Sequence, residues 1–392
     1  MADKAPITPK VLRWARESAK MPVEVAASKV KVSVERLSDW EEGIDQPTIN
    51  QAQTLAKAYK RPFAVLFLPK IPRDFQPLQD YRRDAAELTT ASIFIIREIQ
   101  EKQAWISDVY KEAGEDPLPF VGNFSTQHSS DQVAADILKT LRINPPFYTS
   151  SSPVKEWVDR AESEGIFVSR SSYINTKMKF DSDEMKGFAI VDRYAPFVFI
   201  NTEDWKAPQL FTLVHELAHI WIGESGVSNE MDFKVRLRHE LHPVEVFCNQ
   251  VAASALMPDA AMDKLSQRTL TTTSELFRTA KDWGVSSSAI LVRALFMERI
   301  SHEQYRSLKS QVDVAFQAFL VKEEEKRQNR NKDSGGPNHY LLQLNRNSRL
   351  FTQVVLDAYK AGTIPPSQAS SLLNVKSNHF QKLEAILYPQ VI

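Results

Sequence analysis

The chain has 392 residues, of which 43% are apolar and 25% charged, so it is long enough to bury the cores of two or three domains. Lys plus Arg and Asp plus Glu number 49 each, which excludes a global electrostatic attraction to nucleic acid or membrane. The single cysteine, Cys248, excludes an internal disulfide and a zinc site built from cysteines, so any metal ligands must be histidines and carboxylates.

The first ten residues are too polar for a signal peptide, and the longest apolar runs, such as residues 63–68, are far too short to span a bilayer. We therefore expect a cytoplasmic protein that does not contact a membrane. Residues 8–60 carry apolar side chains at three- and four-residue spacing in four short segments, which predicts four helices. The predicted start and stop signals are Pro22, Ser33, Gly43 and Thr48.

Residues 33–62, SVERLSDWEEGIDQPTINQAQTLAKAYKRP, resemble the helix-turn-helix domain of the lambda-repressor-like (XRE) family, in the E-x-G-x-x-x-P signature and in the number of helices. The resemblance implies a four- to five-helix domain over residues 1–72 with operator DNA as a partner. The first 70 residues hold 12 Lys and Arg against 8 Asp and Glu, which agrees mildly with DNA binding.

The candidate DNA contacts are Lys29, Lys31 and Arg36. The predicted recognition helix has Arg36 as its one basic residue and four acidic residues, Glu35, Asp39, Glu41 and Glu42, that would face or flank a polyanion. A role in protein binding or dimerisation therefore remains the alternative for this domain.

Residues 73–321 form the largest predicted domain, which mixes helices with strands and is therefore of the α+β class. Short β-branched and aromatic runs bounded by turn residues predict a small antiparallel sheet, with a hairpin at DRYA. The predicted strands are 165–170, 187–192 and 196–201, and the long predicted helices are 97–114 and 245–257. A charged and Gly/Pro-rich linker over 322–337 then precedes a small helical module over 338–392.

His215, Glu216 and His219 form an H-E-x-x-H motif within an otherwise apolar helical segment. Positions i and i+4 of a helix share one face, so both imidazoles can reach one ion, while Glu216 lies beside the open coordination position. Glu216 is thus placed to take a proton from a water molecule at the metal. The alternative is a chance match on an amphipathic helix, but burying three polar groups there is costly unless something binds them.

A catalytic zinc usually has three protein ligands, and the candidates for the third are Glu245, His239, His242 and Glu224. We favour Glu245, because it opens a predicted helix on which Asn249 follows one turn later as a partner for a ligand. His239 and His242, in the preceding loop, would otherwise ligate the metal or stabilise the oxyanion.

Three blocks in this order, GFAIVDRYAPFVFIN, FTLVHELAHIWIGESGVS and VEVFCNQVAASALMP, resemble the ImmA/IrrE family of metallopeptidases. The resemblance implies a zincin-like domain in which His215, His219 and Glu245 bind the metal and Glu216 is the general base. The metal would be zinc, with manganese as the alternative, and the activity that of a gluzincin-like endopeptidase. Phe197, Val198 and Phe199 precede the motif helix and would form an edge strand that pairs with an extended substrate.

By this resemblance the chain is expected to cleave one regulatory protein, such as a repressor or an antitoxin, in mobile-element, stress or toxin–antitoxin control. The alternative is a DNA-binding regulator or antitoxin whose metal site is structural or sensory. The sequence leaves the oligomeric state open, and a dimer is one option.

Overall fold

The computed structural model describes residues 3–74, 77–82, 87–150, 152–175, 178–203, 206–228, 242–330 and 338–388. His239 lies outside these described residues. The chain forms two compact units, one made of Met1–Pro77, Ala85–Glu101 and Tyr173–Phe180, and the other of Leu78–Asp84, Lys102–Ser172 and Asp181–Ile392. The boundaries predicted at 72, 321 and 338 stay predictions.

The elements follow the chain in a mixed order of helices and short strands. They are α1 Pro9–Ser18, α2 Val23–Val30, α3 Val34–Glu42, α4 Ile49–Ala58, a 3-10 helix Phe63–Phe67, β1 Gln79–Asp80, α5 Thr90–Ala113, α6 Ser130–Leu141, α7 Pro153–Ser163, β2 Phe167–Ser171, β3 Tyr173–Asn175, β4 Met178–Lys179, β5 Gly187–Ile190, β6 Phe197–Asn201, α8 Lys206–Ile222, β7 Gly226–Ser228, α9 Pro243–Leu256, α10 Asp259–Met262, α11 Gln267–Thr271, α12 Thr273–Trp283, α13 Ser287–Phe296, α14 His302–Arg330, α15 His339–Asn347, α16 Arg349–Lys360, α17 Pro366–Leu373, a 3-10 helix Ser377–His379 and α18 Phe380–Leu387. None of the described helices is both long and apolar enough to cross a membrane.

The N-terminal helices α1–α4 and the 3-10 helix after them confirm the predicted four- to five-helix bundle. The Ser33 side chain caps α3 by accepting from the Arg36 N–H, and Gly43 ends that helix at a φ of 82°. Thr48 caps α4 and forms a reciprocal capping box with Gln51. These local signals set where each helix begins and ends.

Glu41 corrects the prediction for the acidic residues of α3, because it faces the bundle core and not a polyanion. Its side chain is 3% exposed and pairs with Arg16 on α1. Two parallel hydrogen bonds join the two side chains. Nε of Arg16 donates to Oε1 of Glu41 at 2.7 Å, and Nη2 of Arg16 donates to Oε2 of Glu41 at 2.8 Å. A buried carboxylate needs such a bidentate partner, so Glu41 ties α1 to α3.

The five-stranded sheet of the second unit has the order β1-β7-β5-β6-β2 and is mixed. The strands β5 and β6 pair in the antiparallel direction across the predicted hairpin, and β5 also pairs antiparallel with β7. Both outer pairs, β1 with β7 and β2 with β6, are parallel. The α+β class is confirmed, whereas the purely antiparallel sheet is wrong, because long connections join the outer strands and allow them to run parallel.

The motif helix α8 packs against β5 and β6 on the sheet and against α9. Every residue from Leu210 to Ile222 is buried, which explains why the segment is apolar on all sides. Trp221 stacks on Phe120 and donates its indole N–H to Asp136 on α6 at 2.8 Å. The helix is therefore held on several faces at once.

Residues 338–388 fold into helices that belong to the same compact unit as the motif helix α8. Two of these helices, α15 and α16, contact β2. The buried Lys102 side chain donates to Asn347 Oδ1 at 2.8 Å, and Asn347 donates to the carbonyl of Leu373 at 2.7 Å. Before them, α14 continues to Arg330, so the first nine residues of the predicted linker are helical and 331–337 lie outside the described residues.

Candidate metal centre

The centre is formed by two helices that meet with their polar groups inward. His215, Glu216 and His219 lie on α8, and Glu245 lies in the first turn of α9. The side chain of His242 caps α9 by accepting from the Val244 N–H, and Pro243 occupies its first position. Both local features fix the start of α9 and thereby place Glu245 opposite the motif.

The side chains of His215, His219 and Glu245 converge on one buried point. The two Nε2 atoms are 3.2 Å apart. Glu245 reaches both rings, with Oε1 at 3.1 Å from Nε2 of His219 and Oε2 at 3.2 Å from Nε2 of His215. Among the described residues this is the one group of three or more His, Cys, Asp or Glu side chains with metal-like spacing.

Each imidazole is oriented by a hydrogen bond at its other nitrogen. Nδ1 of His215 donates to Oδ1 of Asn249 at 2.9 Å, and Nδ1 of His219 donates to the backbone carbonyl of Glu224 at 3.1 Å. Because both partners are oxygens that only accept, the proton of each neutral ring lies on Nδ1. Both Nε2 lone pairs therefore point into the cluster, as metal-ligating histidines require.

This donor set fits a divalent metal. The two Nε2 atoms and the Glu245 carboxylate lie within 3.2 Å of one another, so a single cation between them could contact all three. Ligand atoms held tetrahedrally at about 2.0–2.1 Å from zinc are separated by about 3.3 Å. The observed spacings come close to that value, so the three residues could hold zinc with little movement.

Charges within the cluster are set by burial and by close neighbours. Burial acts to raise the pKa of Glu245, but the adjacent His215 and His219 lower it to about 2, so Glu245 stays anionic. Burial acts to lower the pKa of His215, which the negative charge of Glu245 nevertheless raises. For His219 burial prevails, and its pKa is lowered. Glu245 therefore supplies the negative charge that a cation site needs.

Glu216 is fully buried, and neither of its carboxylate oxygens accepts a hydrogen bond from the described residues. Burial raises its pKa to about 8, against the opposing effect of His215. A buried carboxylate with both oxygens unsatisfied costs free energy and needs an explanation from function. Glu216 does not belong to the cluster of three, so it is free to act on a group beside it.

Gly187 and Ser228, on the paired strands β5 and β7, complete the wall of the centre, and neither is among the predicted site residues. A Cβ at Gly187 would lie 3.1 Å from Oε1 of Glu216 and 2.7 Å from Cγ2 of Thr212, so glycine permits the close approach of α8 to β5. The Ser228 hydroxyl lies 3.4 Å from Oε1 of Glu245. A single glycine or serine belongs to no motif of fixed spacing, so the sequence alone does not predict a role for either residue.

Asn249, predicted to support a ligand, and the alternative ligands His242 and Glu224 have different positions around the cluster. Asn249 contacts His215 as expected of a partner for a ligand. Neither His242 nor Glu224 joins the cluster of three. His242 caps α9 and is exposed, whereas Glu224 orients His219 through its backbone carbonyl.

The predicted substrate strand is corrected by the sheet order. Phe197, Val198 and Phe199 lie on β6, which pairs with β5 on one side and β2 on the other. All three side chains are fully buried. An interior strand has no free backbone groups to offer a peptide, so β6 does not act as the edge strand.

The three candidate DNA contacts lie on the surface of the N-terminal bundle. Lys29 on α2 and Lys31 at its end are exposed. Arg36 on α3 is also exposed, but its guanidinium lies 3.9 Å from a carboxylate oxygen of Asp45. Part of its charge is therefore already balanced within the domain.

These features define the class of protein: a helix-turn-helix bundle joined to an α+β domain with a buried His-His-Glu centre between its motif helix α8 and the helix α9. Comparison with protein families agrees. Residues 161–295 match the model of the IrrE N-terminal-like domain, Peptidase_M78, and residues 12–66 match that of the helix-turn-helix family HTH_3. The chain thus carries a metallopeptidase-type domain behind an XRE-type helix-turn-helix domain, which confirms the resemblance. Comparison with curated proteins finds no match.

Proposed function

We propose that this protein is a zinc-dependent endopeptidase that cleaves a specific regulatory protein, a repressor or an antitoxin. The observation that carries the proposal is Glu216, a fully buried carboxylate without a hydrogen-bond partner among the described residues, beside three convergent ligand groups. A structural metal site needs its ligands only. A hydrolytic site needs in addition a base at this position.

His215, His219 and Glu245 would hold the metal, with zinc favoured and manganese as the alternative. When bound, the metal would supply a Lewis acid that polarises the scissile carbonyl and makes water more acidic. Glu216 takes a proton from the attacking water and passes it to the leaving amine. Asn249 and the Glu224 carbonyl hold the two imidazoles in the tautomer that ligation requires.

The N-terminal domain would bring the peptidase to its place of action. Its helix-turn-helix match supports DNA binding, and Lys29, Lys31 and Arg36 would contact the phosphate backbone. The biological setting we propose is mobile-element, stress or toxin–antitoxin control in the cytoplasm.

The test is Glu216→Gln, which keeps the volume of the side chain but removes the base. We expect the variant to retain its metal by elemental analysis and to lose cleavage. The substrate would be sought by comparing newly formed protein N termini in cells that express the wild type or Glu216→Gln. If the cells respond equally to both proteins, the peptidase proposal fails.

A second function rests on the helix-turn-helix match at 12–66. In that alternative the protein is a DNA-binding regulator whose metal centre is structural or sensory. The Glu216→Gln variant would then keep its full biological effect, whereas removal of the ligands His215 and Glu245 would abolish it. The two functions therefore predict opposite results for the same variant.

A further inference from the structure

The segment that follows the N-terminal helices contributes a residue to the metal centre. Its strand β1 pairs in parallel with β7, with Gln79 opposite Gly226 and Asp80 opposite Val227. The next residue, Tyr81, extends this pairing, because its N–H donates to the carbonyl of Val227 at 3.1 Å. The segment thus enters the sheet beside the strand that leads to Ser228.

The side chain of Tyr81 lies on the metal ligand His219. The two rings are stacked, with centroids 5.6 Å apart and planes inclined by 21°. The Tyr81 ring also contacts the ring of His242, with centroids 4.9 Å apart. Its hydroxyl donates to Oε2 of Glu224 in a long bond of 3.4 Å, and Glu224 is the residue whose carbonyl accepts from Nδ1 of His219.

The Tyr81 ring occupies space that is open only because residue 226 is a glycine. A Cβ at Gly226 would lie 2.1 Å from Cε2 and 2.2 Å from Cδ2 of Tyr81, so any larger residue there would displace the ring. The Arg82 guanidinium is paired with Asp80 at 2.7 Å and 2.8 Å and stiffens the same segment. A ring that merely covered the surface would not require these features.

We propose that Tyr81 is a positioning residue of the metal centre, which holds the plane of the His219 ring while the Glu224 carbonyl holds its edge. With face and edge both fixed, Nε2 of His219 can point only into the ligand cluster, and less ordering is needed when the metal binds. Tyr81 touches a ligand and not the reacting atoms, so its effect appears first in metal affinity. The inference rests on the metal site of the proposed function.

The test uses Co²⁺ as the probe, because its visible absorption reports ligand geometry and its affinity can be measured independently of any substrate. We expect Tyr81→Phe, which keeps the ring, to bind Co²⁺ within about twofold of wild type. Loss of a group that orients a ligand typically weakens metal binding by about 10- to 100-fold. Tyr81→Ala should therefore bind about tenfold more weakly and show an altered spectrum.

Three further variants make the result specific. Gly226→Ala should reproduce the effect of Tyr81→Ala, because its Cβ would occupy the space of the Tyr81 ring and displace it. Tyr81→Leu keeps apolar bulk without a flat ring, so it serves if Tyr81→Ala fails to fold, and it should also weaken binding. Tyr110→Ala, which removes a ring that packs against Phe167, is the matched control and should leave affinity and spectrum unchanged.

Wild-type affinity and spectrum in a folded Tyr81→Ala or Tyr81→Leu would overturn the positioning role and leave the metal site intact. A wild-type chain that binds no Co²⁺ would overturn the site and the inference together. A Glu216→Gln variant that still cleaves would overturn the peptidase alone.

Discussion

In the metal centre, the orientation of each imidazole depends on a hydrogen bond to another residue. His215 and His219 offer Nε2 to a metal when the proton is on Nδ1, and the hydrogen bonds to Asn249 and to the Glu224 carbonyl favour that tautomer. The motif spacing predicted the two histidines, and Asn249 followed from its place one turn after Glu245. The carbonyl could not be predicted, because backbone groups look alike in every sequence.

Asn249→Ala should weaken zinc binding by about 10- to 100-fold, because His215 would lose the acceptor that keeps its proton on Nδ1. Competition with a chelator of known affinity measures the change. The neighbouring Gln250→Ala is the control and should bind zinc as the wild type does. Equal affinity in the Asn249 variant would mean that α8 alone orients His215.

At the scale of secondary structure, local signals in the sequence predict helices and turns, whereas contacts between distant segments leave no local signal. Caps and apolar spacing placed α3 and α4, and the turn at DRYA gave the β5–β6 hairpin. The interior position of β6 was missed, because its neighbour β2 lies about 30 residues earlier in the chain. The burial of Glu41 has no local signal either, because its partner Arg16 lies on another helix.

Glu41→Ala should loosen the contact between α1 and α3. Breaking a buried ion pair by removing one partner costs about 3 kcal/mol, and Arg16 would lose both of its hydrogen bonds to Glu41. Hydrogen exchange in peptides from these two helices should then accelerate on the order of a hundredfold. Glu42→Ala is the control, because the side chain of Glu42 is 56% exposed. If hydrogen exchange in the Glu42 variant were as fast as in the Glu41 variant, a specific role for Glu41 would be contradicted.

For the whole molecule, a metal bound at this centre would link folding of the second unit to metal supply. The centre joins α8 and α9, two helices that pack closely together, so a cation held by its three ligands would tie one helix to the other. A ligand present at a thousand times its dissociation constant stabilises a fold by about 4 kcal/mol. Metal binding should therefore account for a sizeable share of the stability of this unit.

Chelation should lower the thermal midpoint of the wild type and speed hydrogen exchange in α8 and α9, while leaving α1–α4 unchanged. Elemental analysis should find one metal per chain before chelation. A His215→Ala, Glu245→Ala double variant should contain none and should not respond to the chelator. A chelator response of equal size in both proteins would show that the effect arises elsewhere.

The two compact units are built from chain segments that alternate along the sequence, and this limits how the protein can be cut into fragments. Residues 78–84 and 102–172 belong to the second unit, while 85–101 and 173–180 belong to the first. A single proteolytic cut therefore leaves at least one fragment that carries pieces of both units. A fragment confined to the family match at 161–295 would also lack Tyr81 and α6, so expressing the peptidase region by itself requires more of the chain than its motifs suggest.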